Sequence, residues 1–281
     1  MASSFLIYTP DAPAISLVVA SSLAFHEDYP LVSSFSGRTY LHSRSKQSAS
    51  TLTLSFDLGS GISRQADHLI LGGVSSLLAA GVDSVKLQAS SDNSVWIDQL
   101  GTTSSLASKI KDGPYSDDII FTSAKNNDLV GALAPYRYFR VVFAKVASPS
   151  AILYAFRKLY FGAAFDIGEE PSAYNLELIA DQDQDTWQYP RGHVIMSKAF
   201  RPKHRVTVEW DGVSDAKANE FAQKLLGDSY RNTVYLYTQT YKDPLYDNVL
   251  LHCRVVPEST QIVKANDVEN WNNITAVFEE T

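Results

Sequence analysis

Cysteine is almost missing from this chain of 281 residues. Cys253 stands alone, which excludes an intramolecular disulfide framework and any multi-cysteine zinc or iron–sulfur site. Positive charge is also in short supply: 24 Lys and Arg face 31 Asp and Glu, a formal net charge of −7. A protein whose main business is gripping nucleic acid needs clustered positive charge, so no specific nucleic-acid binding is expected. Long hydrophobic runs are absent as well. The stretch from Ile15 to Phe25 is mixed with serines and falls short of the ~20 residues of a bilayer span. The N-terminus has no basic region, and Pro10, Asp11 and Pro13 interrupt what would be the apolar core of a signal peptide. The expectation is synthesis in the cytoplasm and no membrane insertion.

Chemical signatures are missing in the same way. The six histidines, at 26, 42, 68, 193, 204 and 252, show neither a His-Glu-x-x-His pattern nor a close pair. There is no Gly-x-Ser-x-Gly elbow and no phosphate-cradling glycine loop, and Gly59-Ser-Gly61 reads as a turn. Asp181, Asp183 and Asp185 open like a calcium loop. Thr186 and Gly192 then stand where that loop needs Gly and Glu, so a solvated acidic loop is expected. No catalytic residue, metal site or cofactor is expected, and the protein is read as not an enzyme.

What is present is a folding composition, 45% hydrophobic, 20% charged and 11% aromatic, on a chain long enough for one large or two modest domains. Dividing it near Phe165 separates two charge balances. Residues 1–165 carry 13 basic and 12 acidic side chains, and residues 166–281 carry 11 and 19. The excess negative charge therefore lies in the C-terminal part, which suggests two surfaces facing different surroundings.

The N-terminal part alternates apolar and polar residues in short runs. Thr51 to Asp57 puts Leu52, Leu54 and Phe56 on one face, before a turn at Leu58-Gly59-Ser60-Gly61. His68 to Leu71 is a short apolar run, and Val85, Leu87 and Ala89 alternate again. Ser90 to Ser94 is a polar turn, after which Val95-Trp96-Ile97 resumes the apolar pattern. Tyr138 to Phe143 and Ala151 to Phe161 give two more strands. Such strands with little helical periodicity predict a β-sandwich.

In the C-terminal part, Arg205 to Trp210 is an alternating strand followed by a turn at Asp211-Gly212. Ser214 can cap a helix carrying Ala218, Phe221, Ala222, Leu225 and Leu226 at helical spacing, and Gly227 can end it. Residues 232–238, 248–256 and 274–278 read as strands. The fold class expected is mainly β: a sandwich over residues 1–165, then an α+β domain over 166–281 with an antiparallel sheet and one main helix of about three turns. Whether residues 1–25 join the sandwich or pair with the C-terminal sheet is left open.

Several segments of the first part resemble the discoidin family of galactose-binding-like sandwiches. They are Leu54-Ser-Phe-Asp-Leu-Gly59, Ala66-Asp-His-Leu-Ile-Leu-Gly72, Ser84 to Trp96 with its Ser-x-Asp-x-x-x-Trp hairpin, Tyr136-Arg-Tyr-Phe-Arg-Val-Val142, and Lys158-Leu-Tyr-Phe-Gly162. Lys158 stands where that family usually has an acid. The second part resembles tail-tip and minor tail proteins of long-tailed bacteriophages. That likeness rests on Trp187-Gln-Tyr-Pro-Arg-Gly-His193, Arg205 to Gly212, the Ser-Asp-Ala-x-Ala helix, Val249 to Val255, and Asn272 to Glu280. The two resemblances imply a structural virion protein at the tail tip. It would form a homo-oligomeric ring with other tail proteins (tail tube, tail-tip hub or fibres), made in the host cytoplasm. Its sandwich would act as a peripheral adaptor or glycan binder, with a host surface glycan as a further partner. The alternative is a stand-alone carbohydrate-binding protein.

Candidate carbohydrate contacts are His26, Tyr29, Tyr40 and Arg44. They combine aromatic faces with polar groups, the mixture a pyranose requires, and they precede the first sandwich strand, where discoidin-like domains place ligand loops. The adjacent pairs Asp117-Asp118, Glu169-Glu170 and Glu279-Glu280 point to opposite faces of a strand and read as solubilising charge. Cys253 reads as a small buried hydrophobe, and Trp96, Trp210 and Trp271 as core residues at strand positions. The basic cluster from Arg201 to Arg205 is expected to pair locally with acidic neighbours or with another subunit.

Overall fold

The structure is a computed structural model. It describes residues 5–8, 18–31, 43–101, 106, 117–123, 133–146, 150–165, 167–180, 184–188, 194–198, 202–227, 233–238, 249–265 and 270–280. In chain order the elements begin with β1 (Phe5–Tyr8), β2 (Val18–Ser21), β3 (Ser43–Arg44), β4 (Thr51–Asp57), β5 (His68–Gly72) and α1 (Val74–Ala79). They continue with β6 (Ser84–Ser90), β7 (Ile97–Gly101), β8 (Asp118–Thr122), β9 (Tyr138–Ala144), β10 (Ala155–Phe156) and β11 (Lys158–Gly162). There follow β12 (Ala173–Ala180), β13 (Gln184–Gln188), β14 (Val194–Lys198), β15 (Pro202–Ser214) and α2 (Asp215–Phe221), which runs into a π turn over Ala222–Gly227. The last strands are β16 (Thr233–Thr238), β17 (Val249–Val255), β18 (Gln261–Lys264) and β19 (Trp271–Glu280). The fold is mainly β with one main helix, as the residue patterns predict.

The chain forms two compact units, Met1–Asp166 with Val234–Leu251, and Ile167–Thr233 with His252–Thr281. The first unit is a sandwich. One sheet has the order β2-β4-β9-β6-β7 and the other β11-β5-β8, with β10 and β3 forming a short ribbon beside them. Alternation explains the core: Leu52, Leu54 and Phe56 of β4, Val85, Leu87 and Ala89 of β6, and Phe139, Val141 and Phe143 of β9 all face inward and are fully buried. They meet Leu69, Leu71, Ile119, Phe121, Leu159 and Phe161 from the facing sheet. That smaller sheet is buried on both faces, since Ile70, Ile120 and Tyr160 pack on its other side with Tyr235 of β16. Burial on both faces is why His68 to Leu71 reads as a continuous apolar run.

Residues 1–25 divide between two destinations. Strand β1 pairs antiparallel with β16, Phe5 opposite Thr238, whereas β2 pairs with β4 in the sandwich. In the second unit β19 is central. It pairs with β15 on one side and with β18 and Cys253–Val255 of β17 on the other, and β12 extends the sheet beyond β15. Helix α2 starts where predicted, the Ser214 hydroxyl accepting from the Lys217 N–H at 3.4 Å, and buries Ala218, Phe221 and Leu225. Phe221 meets the Trp210 ring edge-on at 6.3 Å between centroids.

Several expectations are corrected. Asp211-Gly212 is no turn: β15 runs through it, and the register against β19 shifts between Trp210 and Val213, a bulge that Gly212 accommodates with φ +72°. The apolar pattern does not resume at Val95, which is 66% exposed. The Asp92 carboxylate takes the N–H of both Ser94 and Val95, prolonging the turn so that β7 starts only at Ile97. Trp96 therefore precedes the strand, under the Arg140 guanidinium, and Trp271 is 40% exposed; of these three tryptophans only Trp210 is core. The segment from Ala151 to Phe161 is broken at Arg157 into β10 and β11.

Two of the acidic pairs are not solubilising charge either. Asp118 is buried against Lys158, with 3.1 Å between Nζ and Oδ2. Glu280 accepts from the His204 backbone N–H, lies 2.7 Å from His204 Nδ1, and is likewise buried. Glu279 pairs with Arg205 and Arg254, so Arg205 of the basic cluster pairs locally, and Arg201 lies outside the described residues. Cys253 is fully buried as expected. The Asp181–Asp183 stretch lies outside the described residues.

Candidate functional site

The sequence motifs of the sandwich meet in space. Asp57, which ends β4, takes a two-pronged ion pair from Arg137, at 2.6 Å from Nε and 2.8 Å from Nη2. This pairing holds the Asp57 carboxyl below its usual range, the Gly59 N–H adding to the effect. It ties the Asp-Leu-Gly and Arg-Tyr segments together and is structural.

At the other end of β5 the chain opens a cleft of about 600 Å³, lined by Arg44, Ser75, Ser76, Asp117, Leu153, Ala155, Phe156 and Arg157. Its construction starts with two glycines. A Cβ on Gly72 would stand 2.6 Å from Asp118 Oδ1, and one on Gly73 would stand 2.8 Å from the Arg157 backbone nitrogen. Gly73 also has φ +81°, a left-handed conformation that few side chains tolerate. The pair thus lets β5 press against the starts of β8 and β11. Three backbone bonds lace the junction: Arg157 N–H to Gly72 O at 2.7 Å, and the N–H groups of Gly73 and Val74 to Asp117 O at 3.0 and 3.1 Å.

On this frame Asp117 becomes the hub. Its Oδ1 accepts from the Ser75 N–H at 2.6 Å, and its Oδ2 accepts from the Ser75 hydroxyl at 2.7 Å and from Arg157 Nη2 at 2.9 Å. The apolar face open to the cleft is Leu153, which is 38% exposed, whereas Phe156 is 1% exposed and belongs to the core, stacked on Phe143 at 5.3 Å and edge-on to Phe25 at 6.2 Å. Arg44 enters from β3, opposite Ala155 of β10, and its side chain is exposed.

Of the residues singled out from the sequence, His26, Tyr29 and Arg44 are brought together. His26 N–H donates to Arg44 O at 2.9 Å, Arg44 N–H donates to Tyr29 O at 3.0 Å, and the His26 and Tyr29 rings lie 5.7 Å apart. Of these, Arg44 lines the cleft. Tyr40 lies outside the described residues. Ser75, Ser76, Asp117, Leu153, Phe156 and Arg157 were not singled out as site residues. The available signal was two charged doublets, Asp117-Asp118 and Arg157-Lys158, either of which sends one member outward in a strand. Among the described residues no group of three or more His, Cys, Asp or Glu could hold a metal ion. Among the described residues no helix is long and apolar enough to cross a membrane.

No family model and no curated protein matches the sequence. Among solved structures, the chain is similar to chitosan-binding module 1 derived from a chitosanase/glucanase of Paenibacillus sp. IK-5, with 17% identity over 54% of this chain and 98% of that one and a TM-score of 0.37. It is similar to CBM32-3 from a family 31 glycoside hydrolase of Clostridium perfringens, at 11% identity, 52% and 90% coverage and TM-score 0.36. A pectin binding carbohydrate binding module is similar at 8% identity, 52% and 91% coverage and TM-score 0.32.

Proposed function

We propose that the first unit is a carbohydrate-binding module and that its ligand occupies the cleft around Asp117. The observation that carries this reading is the composition of one concave site. Two guanidinium groups, a carboxylate and serine hydroxyls stand beside the exposed apolar side chain of Leu153. A pyranose presents that same pairing, an apolar ring face edged with hydroxyls, and the volume lies within the ~300–1,000 Å³ usual for small-ligand sites. Among the described residues the lining offers no acid–base or nucleophile–base pair: its one carboxylate, Asp117, is bound to Ser75 and Arg157, and no histidine or cysteine lines it. Binding without chemistry is the role these groups support.

The ring-forming virion role draws on the sequence resemblance of residues 187–280 and on no feature of the cleft. Glycan binding is therefore the reading that the geometry supports best. Titration calorimetry of the full chain against gluco-, galacto-, chito- and galacturono-oligosaccharides tests it. At least one class should bind, and Leu153→Glu, which puts a charge at the apolar face from a partly exposed position, should abolish that binding without lowering the melting temperature. Failure of the wild-type chain to bind any of the four or a sulfated galacto-oligosaccharide would refute the proposal.

A further inference from the structure

The cleft is unevenly equipped with donors and acceptors. A carboxylate offers about four acceptor sites. Asp117 has given three of them to the Ser75 N–H, the Ser75 hydroxyl and Arg157. What remains toward the open volume is mostly donor: the Arg44 guanidinium, the remaining N–H groups of Arg157, and the Ser76 hydroxyl, which can also accept. Among the described residues the Arg44 side chain has no hydrogen-bond or ion-pair partner, and only its backbone is engaged. Formal charge points the same way. Arg44 and Arg157 against Asp117 leave the described residues of the lining one positive charge in surplus, on a chain whose net charge is −7. A neutral sugar hydroxyl needs both a donor and an acceptor to be fully satisfied, and this wall would leave many of its protons unpaired. A ligand group that only accepts suits it better.

We propose that the cleft selects an acidic sugar, one bearing a carboxylate or a sulfate, and that Arg44 is the residue that reads the anion. This rests on the carbohydrate-binding reading above and adds the ligand class to it. The Arg44 guanidinium supplies a planar fork of N–H donors to the anion. Arg157, already held by Asp117, offers a second fixed donor face, and Leu153 meets the apolar face of the ring.

The test is titration of the full chain with tetragalacturonate, its fully methyl-esterified form, a sulfated galacto-oligosaccharide and the unsulfated parent. The acid should bind at least tenfold tighter than its ester, and rising salt should weaken the acid and leave the ester unchanged. Arg44→Ala should lower affinity for the acid by about ten- to a hundredfold, the range for a charge-assisted bond, and remove the preference. Arg44→Lys, which keeps the charge without the fork, should fall between the two. Because Arg44 is exposed, neither variant should shift the melting temperature. A sulfated ligand that binds with the same Arg44 dependence supports the proposal and names sulfate as the group read. Equal binding of acid and ester, unchanged in Arg44→Ala, overturns the acidic-sugar proposal and leaves carbohydrate binding standing. Absence of binding to all four ligands, together with failure of gluco- and chito-oligosaccharides, overturns both.

Discussion

Replacing Lys158 by Met should cost this protein a large share of its stability, and replacing Asp118 by Leu as well should return most of it. The Lys158 ammonium and the Asp118 carboxylate lie 3.1 Å apart with side chains only 4% and 6% exposed. The Tyr235 hydroxyl donates to the same Asp118 oxygen at 3.1 Å, and the ammonium sits 5.3 Å from the centre of the Tyr235 ring. Burial pulls the Lys158 pKa down, and Asp118 opposes that pull, so the pair holds two charges in a place that disfavours each alone. Lys158→Met keeps the apolar stem but leaves a buried carboxylate without its cation, expected to cost about 3–5 kcal/mol. Against a typical total of about 5–15 kcal/mol, that is enough to populate the unfolded state under mild conditions. The double variant Lys158→Met/Asp118→Leu removes both charges at similar volume and should lie near the wild type or above it. Tyr235→Phe, which removes one hydroxyl, should lose about 1–3 kcal/mol. Urea unfolding followed by far-ultraviolet circular dichroism measures all four proteins, with an unchanged m-value as the condition for comparing midpoints. A single variant that loses less than about 1 kcal/mol, or a double variant no better than the single, would refute the reasoning.

Other consequences can be measured on the same protein. Gly73→Ala forces a Cβ onto a left-handed residue 2.8 Å from the Arg157 nitrogen, so it should destabilise by about 1–3 kcal/mol. It should also weaken glycan binding in calorimetry, because Ser75 and Arg157 flank the displaced segment. Arg205, and then Arg254, hold the Glu279 carboxyl below its ordinary value of 4.5. The stability this contributes is fully present above that value and is lost as pH falls through the lower folded one. Arg205→Gln should therefore move the acid-unfolding midpoint to higher pH. Phe221→Ala empties a fully buried position beside Trp210 and should cost about 3–5 kcal/mol in the same urea assay. The Cys253 thiol, pushed up by burial and further by Glu280 and Glu279, should resist a thiol reagent in the native protein and react promptly in urea.

Much of the sandwich is legible in the sequence because a half-buried strand leaves a period of two. Leu52-x-Leu54-x-Phe56 and Val85-x-Leu87-x-Ala89 are buried as that period demands. The helix over α2 is equally legible, since Ser214 and Gly227 mark its ends and Ala218, Phe221 and Leu225 its inner face. Three features were illegible because they are tertiary. Asp211-Gly212 has the residues of a turn, and only the partner strand β19 decides that it is a bulge. Val95 has the side chain of a strand, yet the Asp92 carboxylate captures its N–H. Tyr235 lies far along the chain from β8 and β11, and no local pattern shows that it covers the outer face of their sheet. The cleft is hidden for the same reason: Arg44, Ser75, Asp117 and Arg157 come from four separate stretches that only the junction at Gly72-Gly73 brings together.

The doublets at that junction show where period-two reasoning holds and where it misleads. Asp117-Asp118 and Arg157-Lys158 each place neighbours on opposite sides, so no single doublet can supply two carboxylates or two cations to one site. It does not follow that the doublets are surface charge, because β5 aligns them: Gly72 stands opposite Asp118 on one side and opposite Lys158 on the other. One member of each doublet then forms the buried pair Lys158–Asp118, and the other forms the cleft pair Arg157–Asp117 at 2.9 Å. The two pairs are one residue apart along both strands, so the spacing fixed by the buried pair is transmitted to the exposed one through a single peptide unit on each side. A buried pair is weak evidence for net stability, but it is a stringent register device, since a one-residue slip of β8 or β11 would put a lone charge in the core. The same slip would separate Arg157 from Asp117 and leave Ser75 without its acceptor. The register that the core enforces is thus the register that the Arg157–Asp117 cleft requires.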